Sequence, residues 1–228
     1  MKLLSTVILV LLTLPVAAQR HWVGAVGGVG RTNVTSRNFT GQTNHQYQGT
    51  GGIAYEYFLS EHFSIGVDLL YAPRGFVDSL DGDTPARENV AFQYGYDYLS
   101  APLKVGFNDF KEAAFGFKMV SFAKVGLVPA WLMRAETTLP PLAISGSPLP
   151  ARTVDVTDRV SPFDLAGFAE LGVGGNVAGA LWWTISVTYQ HSLTSVTNDE
   201  YFADTDIWHR SIGLMVGLKH RISDDPDW

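Results

Sequence analysis

The sequence contains no cysteine, and this absence excludes disulfide bonds, thiol catalysis and cysteine-ligated metal sites. Charged residues are also scarce, because they make up 17% of the 228 residues, against about 25% in an ordinary soluble protein. The net charge of −6 leaves no basic excess, and nucleic acid is therefore not expected as a partner. Beyond the N-terminus, no run of about 18 apolar residues occurs, so the sequence offers no candidate for a membrane-spanning helix.

The first 18 residues have the composition of a secretory signal peptide. The positively charged Lys2 precedes an apolar run that ends at Leu14, and small residues follow up to Ala18. This run is shorter than the roughly 20 residues that a transmembrane helix needs. We therefore expect cleavage after Ala18, which leaves residues 19–228 as one domain, with an uncleaved anchor as the alternative.

What the remaining chain has in abundance is alternation between apolar residues and small or polar ones, and no convincing helical pattern accompanies it. A period of two predicts β-strands. The eight segments with this pattern are His21–Arg31, Thr50–Leu59, Phe63–Phe76, Val90–Phe107, Met119–Met133, Phe163–Gly174, Leu181–Leu193 and Ile207–Ile222. Their connections are alternately long and short, which is typical of transmembrane barrels with short periplasmic turns and longer outer loops. An even number of strands places both termini on the periplasmic side.

One face of these strands is apolar and the other is small or polar. In the seventh segment, for example, Ile185 and Val187 alternate with Ser186 and Thr188. A soluble sheet buries its apolar face, whereas a barrel in lipid exposes it and fills a narrow interior with small side chains. Because charge is so sparse, we predict an all-β fold: an eight-stranded, antiparallel, up-and-down transmembrane β-barrel. A soluble periplasmic β-barrel that binds a ligand is the alternative.

Two sets of residues have special predicted positions in such a barrel. Charges on the inward face must pair, because an unpaired buried charge is costly. The predicted interior charge network consists of Glu56, Asp68, Lys104, Lys124, Asp164, Glu170 and Lys219. Aromatic side chains near the ends of the apolar faces suit the two lipid interfaces. These predicted interface aromatics are Phe63, Tyr71, Phe107, Trp131, Phe163, Trp183, Tyr189 and Trp208.

The segment "YDYLSAPLKVGF" (Tyr96–Phe107) resembles a strand of the PorT-like outer-membrane β-barrel proteins, which contains tyrosine-leucine followed by proline-leucine. The segments "FAKVGLVPAWLM", "DLAGFAELGVGG" and "RSIGLMVGLKHRI" follow in the matching order. The resemblance covers nearly the whole mature chain. It implies an eight-stranded barrel in the outer membrane of a Gram-negative bacterium, in contact with outer-membrane lipid and lipopolysaccharide. The activity of the family is mostly unassigned, and one branch takes part in protein secretion.

Motifs that would indicate an enzyme are weak. The histidines have no metalloprotease spacing and no G-x-S-x-G motif accompanies them, so His191 and His209 are only the least implausible bases. Two acidic segments could share cations with lipopolysaccharide phosphates at the outer rim. Their residues are Asp78, Asp81, Asp83, Glu88, Asp199, Glu200, Asp204 and Asp206. We expect no cofactor and no resident metal.

The leading functional hypothesis is therefore a non-enzymatic outer-membrane barrel with an interior plugged by side chains. It would have a structural, surface or accessory role in the cell envelope, with another envelope protein as a candidate partner. An outer-membrane hydrolase acting on lipid or peptide is the alternative in the same compartment.

Overall fold

The computed structural model describes residues 20–37, 42–80, 90–112, 117–144, 147–198 and 206–222. The predicted signal peptide, residues 1–18, lies outside these ranges. The strands are β1 (Arg20–Arg37), β2 (Gln42–Phe58), β3 (Phe63–Tyr71), β4 (Arg74–Leu80), β5 (Val90–Ser100), β6 (Leu103–Glu112), β7 (Lys118–Leu139), β8 (Leu142–Ile144), β9 (Ser147–Leu149), β10 (Arg152–Asp155), β11 (Phe163–Ala178), β12 (Leu181–Ser192) and β13 (Asp206–Arg221). A short 3-10 helix spans Thr157–Arg159. Within the described ranges, no helix has the length and apolarity needed to cross a membrane.

Eleven of the strands form one antiparallel sheet that closes into a ring. β1 pairs with both β2 and β13, so the first and last strands are neighbours. The ring continues from β2 to β3 and β4, then through β5 and β6 to β7, and returns through β11 and β12 to β13. Among the described strands, β10 pairs with the end of β7, while β8 and β9 form a separate two-stranded sheet. The prediction of an all-β, antiparallel, up-and-down barrel is confirmed.

The sheet has eleven strands where the sequence predicts eight. Proline accounts for two of the extra strands, because it lacks the N–H group that a ladder needs. Pro73 separates β3 from β4, and Pro102 separates β5 from β6. The pairing continues around both breaks: the Ala72 N–H donates to the Tyr98 carbonyl at 2.9 Å, and the Asp68 N–H donates to the Pro102 carbonyl at 3.1 Å. The third extra strand, β10, lies in a stretch predicted to be a loop.

Several strands extend further than their apolar alternation. β1 continues to Arg37 although its predicted end is Arg31, and β2 begins at Gln42 rather than Thr50. β7 likewise runs on to Leu139. The extensions are polar, but the ladder of backbone hydrogen bonds does not depend on apolar side chains, and β1 stays paired with β13 as far as Arg37 opposite Asp206. The barrel therefore rises beyond its apolar belt at this end.

The two faces of the sheet have the polarity predicted for a barrel in lipid. Ile185 and Val187 on β12 are 43% and 50% exposed on the outside, and Leu214 on β13 is also 50% exposed. Ser186, between the first two, is 4% exposed and lies inside. Because exposed aliphatic side chains surround the barrel while small polar ones fill it, the apolar set forms an outer belt.

Short turns gather at one end of the barrel, here named the short-turn end. β2 and β3 are joined by residues 59–62, and β11 and β12 by Ala180 and Gly179. Gly179 has a positive φ of 53°, a conformation that glycine adopts without steric cost. The described chain ends also meet here, since the Ile222 N–H donates to the His21 carbonyl at 2.8 Å. The opposite end, with the extended strands and β10, is named the long-connection end.

Candidate functional site: the barrel interior

The interior contains an ion-pair cluster built on Glu56 of β2. One carboxylate oxygen of Glu56 lies 2.7 Å from the Lys124 ammonium, and the other lies 2.8 Å from the Lys219 ammonium. The Ser64 hydroxyl donates a further hydrogen bond to Glu56 at 2.7 Å, and the Asn108 amide donates to the Ser64 oxygen at 2.9 Å. All five side chains are buried, and Glu56 is the shared counter-charge of two lysines, so this group of ion pairs has a formal charge of +1.

A second set of ion pairs in the interior is centred on Lys104 of β6. Its ammonium lies 2.6 Å from the Asp68 carboxylate and 3.7 Å from the Glu170 carboxylate. The Ser186 hydroxyl donates to Glu170 at 2.7 Å. The two sets contain three carboxylates and three ammonium groups, so their formal charges cancel. We refer to Glu56, Asp68, Lys104, Lys124, Glu170 and Lys219 as the central charge cluster.

Glycine makes room for the central charge cluster at Gly106 of β6. A Cβ atom at this position would lie 2.7 Å from the Ser64 hydroxyl oxygen and 3.1 Å from Cγ of Lys124. The missing side chain therefore lets the lysine stem cross the sheet surface towards Glu56. A larger residue would displace either Ser64 or Lys124.

Asp164, the seventh residue of the predicted network, lies apart from the central charge cluster. It is fully buried and pairs with Arg74 of β4. The hydroxyls of Ser192 and Thr194 donate to it at 2.8 and 3.0 Å. The guanidinium carbon of Arg74 also lies 4.9 Å from the centroid of the Tyr98 ring. The predicted charge network did not include Arg74. The inward-facing series Asp68, Leu70 and Ala72 includes it if the alternation is continued by two residues.

Four aromatic side chains fill the interior at the short-turn end. The Trp22 ring centroid lies 4.9 Å from Phe58, 5.0 Å from Trp182 and 6.3 Å from Phe110. Phe58 and Phe110 are 5.8 Å apart. We call these four residues the aromatic plug. The sequence carried a signal for it, because Trp182 has the same parity as the inward residues Thr184 and Ser186.

Five of the predicted interface aromatics form two groups on the outer surface. Phe63 and Phe107 are opposite each other at one end of the apolar belt, with ring centroids 5.7 Å apart. At the other end of the belt, Trp131 and Phe163 lie opposite each other, with ring centroids 6.0 Å apart. Tyr71 lies in the same row across the sheet, because it pairs with Leu99 and Leu99 pairs with Trp131. Most members of this set are exposed. Those with exposed side chains are Phe63, Tyr71, Phe107, Trp131, Phe163 and Tyr189, while Trp183 and Trp208 are half-buried.

The two histidines considered as bases do not share a site. His209 is buried inside the barrel, with ring centroids 5.0 Å from Tyr96 and 6.0 Å from Tyr98. In the described part of the chain, neither ring nitrogen of His209 has a hydrogen-bond partner. His191 is half-buried on β12, opposite Arg210.

The acidic segments considered for cations fall mostly outside the described residues. Only Asp78 and Asp206 lie within them, on β4 and β13. Among the described residues, no group of three or more histidine or acidic side chains is placed to hold a metal ion.

Comparison with known proteins adds a family and a fold. Residues 17–198 match the family model described as the outer membrane protein beta-barrel domain. OprG from Pseudomonas aeruginosa is similar in structure, with a TM-score of 0.51 at 9% identity over 89% of this chain and 96% of that chain. Neisserial surface protein A has a TM-score of 0.44 at 12% identity, covering 89% and 97% of the two chains.

The attachment invasion locus protein Ail of Yersinia pestis has a TM-score of 0.41 at 12% identity, covering 87% of this chain and 97% of that chain. At such low identity, the OprG likeness concerns the barrel fold alone. A sequence comparison with curated proteins gives no match.

Proposed function

Because the chain belongs to the outer membrane protein beta-barrel domain family, we propose that it is a non-enzymatic integral protein of the outer membrane with a plugged interior. The observation that carries the proposal is the polarity of the closed barrel. Aliphatic side chains form an exposed belt, whereas six ionisable groups are paired inside. A soluble barrel would place its charges outside and its aliphatic side chains inside.

The proposal includes a strand count and an orientation. Eight strands cross the bilayer when β3 with β4 and β5 with β6 are each counted as one interrupted strand and β10 is left outside. The short-turn end, where Arg20 and Ile222 lie, faces the periplasm, because barrels of this kind have short periplasmic turns. Lipid and lipopolysaccharide surround the belt. The long-connection end faces outward and serves a surface or accessory role, with another envelope protein as its partner.

The proposal places the chain near the PorT-like proteins within its family. The support is the segment Tyr96–Phe107, which bridges β5 and β6 with Pro102 at the break. No residue identifies the secretion branch, and that role is not carried over.

Heat-modifiability on a gel tests the barrel proposal directly. Protein extracted from membranes with detergent is expected to migrate faster unheated than boiled, because a closed barrel resists dodecyl sulfate until heat opens it. Cell fractionation is the companion measurement. Release of the protein with the osmotic-shock fluid would contradict membrane insertion and favour the soluble carrier.

The interior arrangement predicts that the pure protein conducts no steady current. The aromatic plug closes the short-turn end and the central charge cluster fills the middle, where the cavity beside Lys104 has a volume of about 60 Å³. Planar-bilayer recordings are expected to show a flat baseline, while a general porin reconstituted in parallel gives stable steps. Regular open-channel currents from this protein would refute the plugged interior.

A further inference from the structure

A cavity of 390 Å³ lies at the long-connection end, away from the central charge cluster. Its walls come from β4, β5, β7, β10, β13, the 3-10 helix with the residues on either side of it, and the segment that follows β12. The residues that line it are mostly apolar or aromatic: Phe76, Tyr94, Tyr96, Leu139, Val154, Val156, Val160, Val196 and Ile207, with Thr137, Thr197 and Arg159. Its size falls in the range of small-molecule sites, about 300–1,000 Å³.

The aromatic wall of the cavity is preformed by stacked rings. Phe76 and Tyr94 stack with centroids 4.6 Å apart and an interplanar angle of 12°. Tyr96 is also nearly parallel to Phe76, with ring centroids 6.4 Å apart and an interplanar angle of 18°. Three aromatic rings of similar orientation therefore line this wall, and a planar apolar ligand can align with them.

The opposite wall is held by backbone hydrogen bonds. The Val156 N–H donates to the Ala135 carbonyl at 2.9 Å, which fixes the segment after β10 against β7. The Val196 N–H donates to the Ile207 carbonyl, and the Ser161 N–H donates to the Val196 carbonyl, both at 2.9 Å. Because the irregular segments are anchored in this way, the cavity does not depend on a ligand for its shape.

The charge at the rim defines the ligand further. Arg159 is exposed and is the one charged residue among those that line the cavity. Asp155 lies nearby but accepts a hydrogen bond from the Thr157 N–H at 2.9 Å and does not line the cavity. Going beyond the membrane role above, we propose that this cavity binds a small, planar apolar molecule that carries one anionic group, with the anion at Arg159.

Binding of 2-naphthoate to the full chain in lipid nanodiscs tests this site. Calorimetric titration is expected to show saturable binding with one site per chain, whereas empty nanodiscs show only non-saturable partition. The neutral analogue 2-naphthalenemethanol is expected to bind roughly two- to five-fold more weakly, which is the range of an exposed ion pair. Absence of saturable binding would overturn the site, and equal affinity for the two probes would overturn the anionic group.

Matched variants locate the binding. Val154→Trp fills the cavity and is expected to abolish binding, while Thr153→Trp, at a neighbour outside the cavity, leaves it unchanged. Arg159→Gln is expected to remove the preference for the acid, and Arg152→Gln is expected to keep it. The heat-modifiable gel shift shows that each variant retains the barrel, so a failure of the site is separable from a failure of the membrane proposal. Undiminished binding by Val154→Trp would overturn the assignment.

Discussion

Replacement of Glu56 by glutamine is expected to lower the free energy of unfolding by about 3–5 kcal/mol, the usual cost of removing one partner from a buried ion pair. The substitution keeps the side-chain shape but leaves the buried ammonium groups of Lys124 and Lys219 without their shared counter-charge. Urea unfolding of the protein refolded into lipid vesicles, followed by tryptophan fluorescence, gives this free energy.

Two controls separate this effect from a general loss of charge. Asp109→Asn breaks the ion pair between Asp109, whose side chain is 40% exposed, and Lys111, whose side chain is 73% exposed. This change is expected to lower the free energy of unfolding by about 0–1 kcal/mol. The fourfold change Glu56→Leu, Lys124→Met, Lys219→Met and Glu170→Gln removes two charges of each sign and leaves the Lys104–Asp68 pair in place. It is expected to recover most of the stability, because an apolar replacement of whole buried pairs is often neutral. A Glu56→Gln protein within 1 kcal/mol of the wild type, on the order of a surface pair, would show that the cluster is hydrated.

The barrel class was predictable from the sequence because an alternation with a period of two assigns each residue of a strand to one face or the other. Once Ile185 and Ser186 are assigned to opposite sides, the scarcity of charge decides which side meets lipid. The same parity places Asp68 and Lys219 inside. It does not say that Glu56 contacts Lys124, because β2 and β7 lie apart in the sheet order and meet only across the closed interior.

The long-connection end was the least predictable part of the chain. Apolar alternation stops near Arg31 and Met133, yet β1 continues to Arg37 and β7 continues to Leu139. Beyond the apolar belt, the outward-facing side chains no longer contact lipid and need not be apolar. The apolar alternation that reveals the strands within the belt is therefore absent from these extensions. The cavity lined by Val154 and Val160 belongs to this end, and these two residues lie in a stretch that was predicted to be a loop.

Arg74 shows how the inward register continues past a proline. The predicted segment Phe63–Phe76 runs through Pro73, but its inward set was followed only as far as Ala72, so Arg74 was not included in the predicted charge network. The chain resumes in the same direction as β4, still paired with β2. As a result, the inward register survives the proline, and Arg74 lies in position to meet Asp164.

Leu103→Arg is expected to cost about 2–4 kcal/mol in a bilayer, the penalty for arginine at the lipid face near the midplane of a barrel. Leu103 is 52% exposed on β6. It lies midway between Leu99 of β5 and Phe107 of β6, which mark the two ends of the belt along this interrupted strand. A soluble barrel would tolerate the same change within about 0.5 kcal/mol, because the side chain would point into water. The measurement is unfolding from vesicles, compared with Leu103→Ala to remove the effect of lost leucine contacts.

Tyr47→Arg supplies the depth control for this experiment. Tyr47 is 73% exposed and lies on β2 opposite Arg31, in the polar extension beyond the belt. Arginine at such a position is expected to cost about 0–1 kcal/mol, because the penalty falls towards the interface. A large cost at Leu103 with a small cost at Tyr47 locates the bilayer on the belt, since water would treat the two positions alike. Equal small costs at both positions would place the whole barrel in water and remove the basis for a membrane role.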